Sequence, residues 1–113
     1  MFLIDAQCEI GWWMRRHLID FLIDAHSAFE MLPETLFLAI NLLDRYCSKR
    51  VVRRRYYQLV GCVTLSIAAK YSDRKSCVPR VYELHDMCCG LYEISMFPQM
   101  EMHILESIDW IIG

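Results

Sequence analysis

The segment from Leu59 to Ala69 restricts the fold of this chain more than any other. Apolar Leu59, Val60, Val63 and Ile67 are interleaved there with small Gly61, Cys62, Ser66, Ala68 and Ala69. Small residues let neighbouring helix axes approach closely, and a glycine inside a helix costs about 1 kcal/mol relative to alanine, so packing has to compensate for Gly61. The segment reads as the central, most buried helix of a bundle, running from about Arg54 to Tyr71.

The flanking sequence supplies the helices that cover it. Met14, Leu18, Phe21, Leu22, Ala25 and Phe29 recur at spacings of three and four and make one continuous helix face. Met31 to Thr35 then forms a turn, with Pro33 placed where a first helical residue needs no amide hydrogen and Glu34 suited to the positive helix end. The second helix continues to about Ser48. Its stripe is Leu36, Ala39, Ile40, Leu43 and Tyr46, widened by Phe37, Leu38 and Leu42, so it is expected to be covered on more than one side.

Ser72 to Val78 is a polar connection into a short fourth helix starting near Pro79, marked by Val81, Leu84, His85 and Cys88 and ended by Gly90. Pro98 is expected at the start of a fifth helix that turns Met100, Ile104, Leu105, Ile108 and Ile111 inward. Phe2 to Trp13 has no clean period and reads as a lead-in laying Trp12 and Trp13 against the first helix. The expected fold is all-α, a single five-helix bundle over 14–113 behind a lead-in at 1–13.

At 113 residues and 56% hydrophobic, the chain can bury roughly 60 to 70% of its unfolded surface and needs no metal or disulfide staple. A net charge of -2 with interspersed signs gives no overall attraction to nucleic acid or to an anionic membrane. Asp20, Asp24, Asn41 and Asp44 interrupt every apolar run, so no membrane partner is expected. Met1 to Ile10 has no basic start and contains Asp5 and Glu9, unlike a signal peptide, and a reducing, intracellular setting is the default. Six cysteines without a CxxC pair read as free thiols acting as small hydrophobes.

The usual catalytic spacings are missing: there is no G-x-S-x-G, no H-E-x-x-H, no P-loop and no dinucleotide glycine pattern, so neither enzyme activity nor a cofactor is expected. His85, Cys88, Cys89 and His103 lack the paired spacing of a zinc site. Asp20 and Asp24 lie one helical turn apart, a spacing that suits ion pairing or exposure better than acid/base chemistry. The basic run Lys49 to Arg55, followed by Tyr56 and Tyr57, has three readings: a solvated connector, a protein-docking surface or a nucleic-acid surface.

MRRHLIDFLIDAH, LPETLFLAINLLDRYCS, YQLVGCVTLSIAAKYSD and MEMHILESIDW, in this order, resemble the cyclin box, collinear over Gln7 to Trp110. QCEIGWWMRRHL and HSAFEMLPETLFLAINLLDR look most like fungal B-type, mitotic cyclins. The resemblance implies a regulatory subunit, present in nucleus and cytoplasm, that binds and activates a cyclin-dependent Ser/Thr protein kinase. It also implies a second helical repeat, which the 113 residues do not contain. Carried over by position, the kinase-binding anchors are Lys70 and Glu101. A patch for Arg-x-Leu motifs of substrates or inhibitors maps to Met14, His17, Leu18, Phe21, Arg54, Tyr57 and Gln58.

This chain departs from the family pattern in several places. His17 replaces an aliphatic residue, Phe21 a tryptophan and Tyr57 a leucine. Ser72 and Asp73 stand where mitotic cyclins carry two glutamates, and Pro98 is expected to delay the fifth helix. The alternative is a cyclin-like helical module of a transcription factor, contacting DNA or polymerase through residues 49–57.

Overall fold

A computed structural model describes residues 12–113. Among them are five α-helices: α1 (Trp12–Ala28), α2 (Pro33–Lys49), α3 (Tyr57–Ser72), α4 (Val81–Met87) and α5 (Met96–Ser107). Short 3-10 turns at Arg54–Tyr56 and Lys75–Cys77 lead into α3 and follow it. The described residues contain no strand, and no helix is long and apolar enough to cross a membrane. The fold is the expected all-α bundle. The expected placement of the lead-in at 1–11 lies outside the described residues, and Trp12 and Trp13 already belong to α1.

α3 is the axis of the bundle. Every residue from Leu59 to Ala69 is buried, and the helix packs against α2 most extensively and also against α1 and α5. Gly61 marks the closest approach: a Cβ built there would meet Leu18 Cδ1 at 2.6 Å, so the absence of a side chain is what lets α1 sit this close. The buried hydroxyl of Thr64 donates to the Gly61 carbonyl at 2.8 Å, so it costs the core no unpaired polar group.

α1 turns Leu18, Leu22 and Ala25 inward, the expected face. α2 buries Ala39, Leu42, Leu43 and Tyr46 and packs against α1, α3 and α5, but Phe37, expected to widen the buried stripe, is 68% exposed. Pro33 occupies the first turn of α2 as expected. Leu32, at the N-cap, has no side-chain oxygen to offer, and the cap comes from elsewhere: Asp73 Oδ2 accepts the Leu32 amide at 2.8 Å and the Thr35 hydroxyl at 2.7 Å. Arg15 on α1 and Asp44 on α2 form an ion pair at 2.8 Å that ties these helices at the surface.

Two expectations fail around α5. The helix begins at Met96, ahead of Pro98, which falls within the first turn where its missing N–H removes no intrahelical bond. Ile111 is 59% exposed because α5 ends at Ser107 and the chain passes through left-handed Asp109 and Trp110, which breaks the helical period. Likewise Tyr71, at the last turn of α3, points away from the core and is exposed. The α2–α5 seam is polar inside: the Tyr46 hydroxyl meets His103 Nδ1 at 2.6 Å, and Arg50 Nε donates to Ser107 Oγ at 3.0 Å.

Candidate functional site

Two features of the surface combine chemistry with shape. The first is an ion pair at the end of α3. Lys70 follows immediately on the buried run Leu59 to Ala69 of α3 and is exposed. Glu101 lies on α5 between buried Met100 and exposed Met102. The two are 31 residues apart in sequence and meet with Lys70 Nζ donating to Glu101 Oε2 at 2.7 Å, their side chains 51% and 26% exposed.

The pair borders a small hollow of about 50 Å³ floored by Val63, Leu84 and Phe97 and rimmed by Pro79, Val81 and Pro98. A cation and an anion thus stand together beside a hollow whose other lining, apart from Ser66, is apolar. Each retains hydrogen-bonding capacity beyond the mutual contact: an ammonium has three donors and a carboxylate about four acceptor positions. Such a pair can serve both the carbonyl and the amide groups of an incoming peptide segment or helix end.

The second feature is a groove of about 610 Å³ between α1, the start of α3 and the turn before α5. Met14, His17, Leu18, Arg54, Tyr57 and Gln58 line it together, which brings six of the seven residues assigned to the patch onto one surface. Phe21 is half-buried against the core and is not part of the lining. Burial pushes the Tyr57 phenol up to about 12, so it stays a neutral hydrogen-bonding group at any ordinary pH.

The far wall consists of Leu91, Tyr92, Glu93 and Met96, none of which the sequence pattern singled out. Leu91 to Glu93 follow the left-handed residues Cys89 and Gly90, where no helical or strand period exists to read, and Met96 opens α5. Tyr92 is held in place by donating its hydroxyl to the Arg55 carbonyl at 2.6 Å, with its ring edge-on to Phe97 at 6.3 Å. Arg55 in turn lies 5.1 Å above the Tyr56 ring. The basic run is therefore divided in its roles: Arg50 faces α5, Val52 is buried, and Arg54 and Arg55 border the groove.

The remaining sequence candidates do not assemble. No group of three His, Cys, Asp or Glu side chains among the described residues could hold a metal ion. His103 bonds to Tyr46, whereas His85 lies edge-on to Phe97. Asp73 does not face outward like a free surface acid, since it caps α2, and Ser72 joins it through the Thr35 hydroxyl at 2.9 Å.

The described residues form an all-helical bundle built around one sequestered helix, with an ion pair and a groove on its surface. The family described as cyclin, N-terminal domain, matches residues 1–113, and the chain belongs to the cyclin family. Its relatives include the G1/S-specific cyclin CCN1 of Candida albicans, 58% identical over 98% of this chain and 16% of that protein. Cyclin puc1 of Schizosaccharomyces pombe is 41% identical over 98% of this chain and 31% of its own length. The G2/mitotic-specific cyclin cdc13 of the same yeast is 42% identical over 95% of this chain and 22% of that protein. Both G1/S and mitotic fungal cyclins are thus among the relatives, and the chain spans less than a third of each of these three. A viral cyclin from herpesvirus saimiri shares the fold, with a TM-score of 0.76 at 23% identity over 85% of this chain and 41% of that one.

Proposed function

We propose that this chain is the kinase-docking part of a cell-cycle cyclin, which binds and activates a cyclin-dependent Ser/Thr protein kinase. The observation that carries the reading is the Lys70–Glu101 pair, held at 2.7 Å at the end of the buried helix and set among apolar side chains. An exposed ion pair contributes only about 0 to 1 kcal/mol to stability, so stability gives little reason to keep one on an apolar surface, whereas docking does. Driving a kinase from about 1% to 99% active takes roughly 5.5 kcal/mol of differential binding, and hydrogen-bonded anchors ringed by apolar contacts are how interfaces supply such energy.

The groove adds a second role in the same reading, recruitment of substrates or inhibitors carrying an Arg-x-Leu motif. Glu93 offers an anion for the arginine, and Met14, Leu18, Leu91 and Met96 offer apolar surface for the leucine.

Capture of a cyclin-dependent kinase on the immobilised chain tests the proposal, with Lys70→Ala and Glu101→Ala as variants. Each is expected to weaken capture by roughly tenfold or more while leaving the thermal midpoint nearly unchanged. Undiminished capture by both variants would refute the anchor assignment.

A further inference from the structure

Behind the groove wall lie two thiols that the docking surfaces do not use. Cys62 in the middle of α3 and Cys88 just past α4 are 26 residues apart, both fully buried, with their sulfurs 3.2 Å from each other. A disulfide requires a separation of about 2.05 Å, so closure asks for an approach of roughly 1 Å. The other thiols among the described residues are placed differently: Cys47 is half-buried, Cys77 contacts Arg74 and the Glu30 carbonyl, and Cys89 is exposed.

We propose that Cys62 and Cys88 form a reversible dithiol–disulfide site, oxidised by hydrogen peroxide, that cross-links α3 to the end of α4. The two sulfurs share a hydrogen bond in which either thiol can donate, and their places in the fold distinguish their roles. The contact with Cys88, together with burial, holds the Cys62 thiol above the ordinary range. Cys88, at the end of short α4 and next to exposed Cys89, is the sulfur that peroxide reaches first, and Cys62, within buried α3, is the one that resolves the product.

The Cys88 thiolate attacks one peroxide oxygen, the O–O bond breaks, and with the thiol proton the departing hydroxide leaves as water, giving a sulfenic acid. Cys62 sulfur then attacks Cys88 sulfur, the S–O bond breaks, and hydroxide leaves as a second water with the Cys62 proton. Two thiols and one peroxide become one disulfide and two waters, the sulfurs losing two electrons to the peroxide oxygens. Access is local: α4 has only seven residues and ends at left-handed Cys89 and Gly90, so opening the last turn uncovers Cys88 without unfolding α3.

The test treats the full folded chain with peroxide, alkylates free thiols after unfolding, and maps the peptides. The expected product is a Cys62–Cys88 cross-linked peptide that dithiothreitol returns to two free thiols. In Cys62→Ala, where no resolving thiol remains, dimedone is expected to label Cys88 as its sulfenic acid. Cys89→Ala, a change at the surface, keeps the test independent of whether the buried variant folds, and the cross-link is expected to persist in it. Recovery of Cys62 and Cys88 as alkylated thiols while Cys89 consumes the oxidant would overturn the proposal. So would a cross-link that forms only in urea.

Discussion

Asp73 accepts the Thr35 hydroxyl at 2.7 Å, so the loop that leaves α3 caps the helix that began 38 residues earlier. The same carboxylate oxygen takes the Leu32 amide, and the other oxygen takes the Arg74 amide at 2.9 Å. Loss of a helix cap typically costs about 0.5 to 2 kcal/mol, and Asp73→Ala is expected to lie in the upper half of that range because Thr35 is buried. Urea unfolding measures the cost directly.

The same contacts give Asp73 a pH signature. Burial works to raise its pKa, but the hydrogen bonds from Thr35, Leu32, Arg74 and Cys77 prevail and hold the carboxyl below its usual value. A carboxylate depressed in the folded state adds stability that is fully present above its unfolded pKa of about 3.9 and is lost as the pH falls through the folded value. The urea midpoints of wild type and Asp73→Asn are expected to converge on acidification below about pH 4 and to separate above it.

Gly61 and Leu18 are matched in size. Gly61→Val would push into Leu18 Cδ1, which a lone Cβ would already meet at 2.6 Å, and overpacking of this kind costs about 1 to 3 kcal/mol. Leu18→Ala alone leaves a cavity worth about 2 to 5 kcal/mol. Because each change makes room for or fills the other, the double variant is expected to lose less than the sum, by about 1 kcal/mol or more in a double-mutant cycle.

Exchanging the charges of the docking pair separates its two possible uses. Lys70→Glu with Glu101→Lys restores the mutual ion pair and is expected to unfold at the wild-type urea concentration. Kinase capture is expected to fall by roughly tenfold or more, because each charge now confronts the wrong polar group of the partner. Retained capture would mean that the pair acts only within the bundle.

The α2–α5 seam carries a second titration. Burial, aided by the positive charge of Arg50, holds His103 below the ordinary imidazole value, and burial pushes Tyr46 up to about 12. A histidine that resists protonation in the folded state contributes stability that is intact above its unfolded pKa of about 6.5 and declines as the pH drops from there to the lower folded value. His103→Gln is expected to flatten this part of the stability profile. Tyr46→Phe, which removes the 2.6 Å hydrogen bond, is expected to cost about 0.5 to 1.5 kcal/mol at neutral pH.

The parts of the molecule legible in the sequence were those governed by period and by single decisive residues. The run around Gly61 announced a helix covered on all sides, Pro33 announced the start of α2, and the spacing from Leu18 to Ala25 announced the inner face of α1. Lys70 and Glu101 were reached only through the family pattern, since nothing in their spacing says that two helices bring them together. Contacts closing across long stretches of chain carried no local signal, so Asp73 read only as a residue standing where mitotic cyclins carry a glutamate and not as the cap of α2. Tyr92 was hidden for a related reason: it follows left-handed Cys89 and Gly90, and a position outside any regular element cannot be assigned a face. Pro98 misled because proline is permitted throughout the first turn of a helix and not at its first residue alone.

The complete burial of α3 from Leu59 to Ala69 also governs how this protein fails. Detaching either α1 or α5 would bare part of an uncharged, largely apolar surface. Sticky surface of that kind is what chaperones and proteases engage and what aggregates when they do not. A damaged copy is therefore expected to advertise itself for removal as soon as one covering helix lets go, and the innermost helix doubles as an alarm.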